Sequence, residues 1–146
     1  MPTLLETLGA QPKRATVIAD CVTLIEQEVA DKGGLSGMAI KGGYKVVKSF
    51  KPGFTAEAVD GFLDQFCAAL QPIVDDARAQ SKPISQVFSA NTGRVAEALL
   101  AITDARAARS KLAMIKATYE RLRGMAKKHV EEAVPRVGKL IEKHAG

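Results

Sequence analysis

The chain has 146 residues, 47% hydrophobic and 25% charged, which suits one domain with its own core and excludes a disordered or collagen-like polymer. Two cysteines are too few for a disulfide scaffold, and no apolar run is long enough to cross a bilayer. The apolar residues are mostly Ala, Val, Leu and Ile, aromatics make up 5% and Trp is absent, a composition that favours helices over a sandwich or barrel. A net charge of +5 and a pI of about 9.3 permit an anionic partner without demanding one.

In chain order, "PTLLETLG" predicts a short first helix. Thr3 and Glu6 have capping-box spacing and Gly9 ends the helix. Pro12 suits the first turn of a second helix over residues 12–32, where Ile18, Cys21, Val22, Ile25 and Val29 form one apolar stripe before Gly33 and Gly34 stop it. Leu35 and Ser36 read as a hydrophobic staple and N-cap for a third helix over 36–50, with Ile40, Tyr44 and Val47 on one face. "KPG" at 51–53 breaks it.

A fourth helix runs from Phe54 to about residue 80 on a broad stripe that includes Val59, Phe62, Leu63, Phe66, Cys67 and Leu70, with a kink expected at Pro72. "QSKPIS" reads as a connector. Asn91 is the expected N-cap of a fifth helix carrying Val95, Leu99 and Leu100. "TDARAARSK" holds no Gly or Pro to separate it from the next pattern, which carries Leu112, Ile115, Tyr119, Leu122, Ala126 and Val130. Pro135 is expected to open a last helix. No strand alternation, fixed-period repeat or linker is evident. The expectation is an all-α single domain over 1–146, with about six or seven helices.

The segment "GGLSGMAIKGGYKVVKSFKPGF" holds six glycines, four lysines and no acid. It is not a P-loop: Gly43 and Tyr44 stand where the lysine and hydroxyl belong, and no strand precedes it. Gly42 and Gly43 each cost a helix roughly 1 kcal/mol relative to Ala, so tight packing or a hinge should offset them. Ala39 and Gly43, four apart, suggest a close helix contact. Lys41, Lys45 and Lys48 share one face and make an amphipathic helix with a cationic side. Glu57, Asp60 and Asp64 on the fourth helix are expected to offset those lysines in part.

A second basic stretch holds Arg106, Arg109, Lys111, Lys116, Arg121, Arg123, Lys127 and Lys128 against Glu120 alone. No DNA- or RNA-reading motif accompanies it, and Tyr119 is its only aromatic, which disfavours sequence-specific recognition. His129 reads as a boundary residue and His144 as a solvated terminal one; neither has metal-ligand spacing. Cys21 and Cys67 sit in apolar runs and read as reduced, inert thiols. No nucleophile elbow or paired-carboxylate site appears, so no catalytic residue, metal or cofactor is assigned.

"DKGGLSGMAIKGGYKVVKSFKPGF" and the tail "AKKHVEEAVPRVGKLIEKHAG" resemble a family of short bacterial helical proteins with no assigned activity, over the whole chain. The resemblance implies a stand-alone chain in a bacterial cytoplasm and supplies no site residues. The N-terminus lacks the pattern of a signal peptide, which also points to the cytoplasm.

The sequence therefore predicts a non-enzymatic binding protein. It would contact an anionic partner, nucleic acid or anionic membrane surface, through Lys41, Lys45, Lys48 and the basic residues from Arg106 to Lys128. Two alternatives stay open. One is a carrier of an apolar or lipid-like ligand, in which the glycine-rich helix hinges away from the Phe62, Phe66 and Leu70 stripe. The other is a homo-oligomeric protein-interaction adaptor.

Overall fold

The structure, a computed structural model, describes residues 2–50, 52–109 and 113–145. Among these residues it is all α, with seven helices: α1 (Leu4–Leu8), α2 (Lys13–Asp31), α3 (Gly34–Phe50), α4 (Phe54–Ala79), α5 (Ile84–Ala90), α6 (Thr92–Ala108) and α7 (Ala113–Ala145).

Thr3 caps α1 as its spacing predicts, although the reciprocal Glu6 contact goes to the Thr3 hydroxyl rather than to its backbone N–H. The Thr3 hydroxyl accepts from the Glu6 amide and also donates to the Glu6 carboxylate, both at 3.1 Å. α4 and α7 organise the rest: α1, α2, α5 and α6 each pack against both of them. The core is almost wholly aliphatic. Leu4, Val17, Ile73, Val74, Val95 and Val134 are fully enclosed, with Phe88 the one fully enclosed aromatic among the described residues. The apolar stripe of α4 predicted from the sequence supplies Val59, Leu63, Cys67, Leu70, Ile73 and Val74 to it.

Several expectations are corrected. α7 runs without a break through Pro135. Pro at an interior position removes one backbone hydrogen bond and costs a helix roughly 3 kcal/mol. Burial of Val134, Gly138 and Ile141 around it offsets that cost and keeps the helix continuous. α4, by contrast, spans Phe54–Ala79 with Pro72 inside it, as its expected extent requires. α5 occupies what reads as connector; Ile84, Val87 and Phe88 at steps of three and one bury against α7. Asn91 does separate α5 from α6, but it caps the end of the former: its side-chain amide donates to the Val87 carbonyl at 2.8 Å and makes no N-cap bond to α6. Leu35 is no staple, because its side chain is 88% exposed.

Gly42 and Gly43 of α3 are not packing residues, unlike Gly37, which is buried and where a Cβ would stand 2.7 Å from the Lys32 carbonyl carbon. A Cβ placed at Gly42 or Gly43 meets nothing within 4 Å, so no backbone approaches there. The close approach lies instead at Gly138 of α7, where a Cβ would stand 2.9 Å from the Phe88 Cβ and 3.1 Å from the Ser85 Cα. Since Gly42 and Gly43 sit in open space on an exposed helix, Gly42→Ala and Gly43→Ala should each stabilise the fold by about 0.5–1 kcal/mol. Chemical denaturation of the two variants checks this, and a loss of stability would contradict it.

Candidate functional site

α3 is held at three points. The Tyr44 hydroxyl lies 2.8 Å from that of Thr55 at the start of α4. The Lys48 ammonium meets both Glu26 carboxylate oxygens on α2, at 3.0 and 3.1 Å, and stands 5.2 Å from the Tyr44 ring centre. At the other end Ser36 Oγ lies 3.3 Å from His129 Nε2 on α7. These contacts turn the Ile40 and Tyr44 side, half-buried, toward α2 and α4. The Val47 side chain, expected on that face, lies outside the described residues.

The opposite side of α3 is uncovered and apolar. Leu35, Met38, Gly42 and Val46 fall at steps of three, four and four, so they share one face. Their large side chains are 88%, 69% and 67% exposed. Lys41 and Lys45 flank this stripe, exposed and without an ion pair among the described residues. Lys48 belongs to the same cationic edge, but Glu26 neutralises it, and the hydrogen bond to Glu26 raises the Lys48 pKa. Of the acids expected to balance these lysines, Asp60 and Asp64 hold Arg14 of α2 at 2.9 and 2.6 Å; Glu57 lies in the first turn of α4.

The second basic stretch is divided. Arg123 grips Asp104 with two nitrogens, at 2.8 and 3.1 Å, and reaches Glu97 at 3.5 Å. Lys127 pairs with Glu97 at 3.1 Å. The Arg123 and Tyr119 hydrogen bonds hold the Asp104 carboxyl below its ordinary range. The Arg106 guanidinium lies 5.1 Å from the Phe62 ring centre, and Phe62 stacks on Phe66. Arg109, Lys116, Arg121 and Lys128 are exposed. Lys111 lies outside the described residues. Among the described residues, α3 meets α7 through Ser36 and His129, the neighbour of Lys128 in sequence.

Two polar groups that the sequence does not advertise anchor the bundle. Lys32, 7% exposed, directs its ammonium at Glu28 (3.0 Å), the His129 carbonyl (3.2 Å) and Glu132 (3.3 Å). Arg136 adds a bond to Glu28 at 2.9 Å and one to Asp31 at 2.6 Å. At the other end of the same α2–α7 seam, His144 is buried rather than solvated. Its Nε2 lies 2.7 Å from Asp20, its carbonyl accepts from Lys13, and Lys143 also meets Asp20 at 3.0 Å.

His144 and Lys143 hold the Asp20 carboxyl below its ordinary value of 3.8. A carboxylate with a depressed folded pKa contributes stability that is complete above its unfolded value and lost as pH falls through the folded one. The urea midpoint should accordingly be flat above about pH 5 and fall below about pH 4. Asp20→Asn should shallow that acid limb, and an unchanged limb would contradict the role assigned to the pair.

A cavity of about 210 Å³ lies within the core, bounded by α1, α2, α4, α6 and α7. Every residue lining it is apolar. Cys21 and Cys67 are among them as free thiols, and burial pushes both pKa values up to about 11, which leaves them protonated and unreactive near neutrality. No α3 side chain described by the structure lines it, whereas Phe66 and Leu70 of the stripe expected beneath α3 do. Among the described residues no group of three or more His, Cys, Asp or Glu side chains is placed to hold a metal. No described helix is long and apolar enough to cross a membrane.

These features define a compact all-α protein with an exposed amphipathic helix and an apolar cavity. The chain belongs to DUF6918, a family of unknown function, which it matches over residues 4–145. No curated protein and no solved structure matches it.

Proposed function

We propose that the protein is a non-enzymatic, cytoplasmic, peripheral binder of anionic membrane surface, and that α3 is the element that docks. The observation that supports this reading best is the pairing, on one exposed helix, of an apolar stripe (Leu35, Met38, Val46) with Lys41 and Lys45, unpaired among the described residues, at its edge. An interfacial helix needs both parts: side chains that enter the acyl boundary and cations at headgroup level. Fully burying a Leu, Met or Val side chain is worth roughly 1.5–3 kcal/mol, and each lysine near an anionic surface adds about 1 kcal/mol. Burial of three such side chains together with two lysines is enough for reversible binding. The exposed Arg109, Lys116, Arg121 and Lys128 add to the positive field, as does the net charge of +5.

The nucleic-acid version has less support. Arg123, Lys127 and Lys48 are committed to the protein's own acids, and an exposed apolar stripe has no use against a phosphate backbone. The free thiols agree with a reducing compartment.

Co-sedimentation with vesicles tests the reading. Binding is expected to vesicles containing phosphatidylglycerol and not to pure phosphatidylcholine, and to weaken with salt. The double variant Lys41→Glu and Lys45→Glu should lose at least about 30-fold in affinity with helicity unchanged, since about 2 kcal/mol of attraction is removed before repulsion is added. Equal binding to neutral vesicles or an unaffected variant would defeat the proposal. Steeply salt-dependent binding to an arbitrary DNA duplex between about 50 and 200 mM salt, without vesicle binding, would put nucleic acid in its place. A concentration-dependent dimer lost on Leu35→Glu would make the stripe a contact between copies.

A further inference from the structure

We infer that the cavity between α2, α4 and α7 is a binding site for a small uncharged hydrocarbon group, a ligand class separate from the surface that α3 would contact. Its chemistry is one-sided. Leu63, Leu70, Leu99, Val137 and Leu140 line it with the two thiols, and among the described residues no carboxylate, amide, hydroxyl or cation does. A buried water needs two to four polar partners, and the described lining offers none, so the inner end of the space is a poor site for water. Empty, it deprives its lining of dispersion contacts on one side.

At about 210 Å³ the cavity is larger than the roughly 150 Å³ apolar cavity known to stay dry and accept benzene. It therefore has room for an aromatic ring or a short branched or linear alkyl group. A carboxylate or phosphate could not be buried with it, because nothing inside would repay the loss of hydration.

The depth profile indicates how such a group would enter. The inner lining, Leu4, Leu8, Val17 and Leu70, is buried. The outer lining, with Leu24 and Ile25 on α2, Phe66 on α4 and Leu99 on α6, is half-buried. A hydrocarbon would pass between α2 and α4, and any polar end it carried would remain at that mouth in solvent. The occupant is thus either a free apolar molecule or the hydrocarbon end of a lipid-like one, and the two share the same lining.

Two readouts on the full chain test this. The first is organic extraction of the purified, denatured protein followed by mass spectrometry. The second is a benzene titration of the extracted and refolded protein, followed by the methyl resonances of its Leu and Val residues. Saturable shifts are expected at Leu4, Leu63, Leu70 and Leu140, and not at remote methyls such as Val46. A stoichiometric lipid in the extract would identify the occupant as a chain end; benzene saturation with a clean extract would identify a free apolar molecule. Cys21→Phe, which fills the cavity, should weaken benzene binding at least tenfold with the circular dichroism retained. Leu24→Trp at the mouth serves the same purpose if Cys21→Phe does not fold. No saturable shift up to the solubility of benzene, together with a clean extract, overturns the inference. Because Lys41 and Lys45 are exposed and do not line the cavity, Lys41→Glu with Lys45→Glu should leave benzene binding intact, which separates this site from the membrane reading.

Discussion

Replacing Glu28 with Ala is expected to destabilise the fold by about 3 kcal/mol, whereas Lys32→Met should cost only about 1 kcal/mol. The asymmetry follows from the geometry. The Lys32 ammonium has three N–H donors, and the structure gives it three acceptors: Glu28, Glu132 and the His129 carbonyl. Glu28 in turn serves two cations, with one carboxylate oxygen on Lys32 and the other on Arg136.

Removing Glu28 leaves a buried ammonium short of a partner and leaves Arg136 with Asp31 alone. Removing the Lys32 charge leaves Glu28 still bonded to Arg136 at 2.9 Å, and the Met side chain keeps the packing of the lysine stem. Urea denaturation of both variants decides the matter. Equal losses would mean that packing at this junction, not charge, holds α2, α3 and α7 together.

Gly138→Ala should cost about 2 kcal/mol, a fall of several degrees in melting temperature for a chain of this size. Ala is the better helix former, so propensity alone predicts a gain of about 1 kcal/mol. The added methyl must instead fit 2.9 Å from the Phe88 Cβ and 3.1 Å from the Ser85 backbone. Phe88 is fully enclosed, and Ser85 is tied to α7 through Glu142, which accepts from both its amide and its hydroxyl. Neither neighbour can retreat without moving α5 off α7. The same substitution at Gly42 or Gly43, where the space is open, carries the opposite sign. Thermal unfolding of the three variants side by side checks all of this; a neutral Gly138→Ala would show that the α5–α7 contact is looser than described.

The contrast between these glycines also marks how far the sequence could be read. Helix period and breakers located α1 through α4 closely, because each is bounded by Gly or Pro and carries a continuous stripe. The helix count agreed only through two compensating differences. α5 has seven residues, too few for a stripe to stand out, and it hides behind "KP". Pro135 looked like a helix start because its cost is local, while the burial that outweighs it comes from partners distant in sequence. Gly43 drew attention as a packing residue because it sits in a glycine cluster; Gly138, alone in "RVGKL", makes the contact.

The charges were harder still. Local spacing set Asp60 and Asp64 against the α3 lysines, and tertiary packing gave them to Arg14. His144 looked terminal and solvated, yet α2 places Asp20 beside it. The cationic edge of α3 was legible from its lysine spacing. The exposed apolar stripe next to it was not, because hydrophobic side chains on a helix are first assigned to a core.

The absence of Trp from the chain makes the most direct test simple: Met38→Trp places a single indole in the middle of the exposed α3 stripe. Its emission should be that of a solvated indole in buffer, shift to the blue on vesicles containing phosphatidylglycerol, and become quenchable by bilayer-resident quenchers. Pure phosphatidylcholine should leave it unchanged. An indole that stays solvated at saturating anionic vesicle concentration would contradict the docking of α3 on a membrane surface.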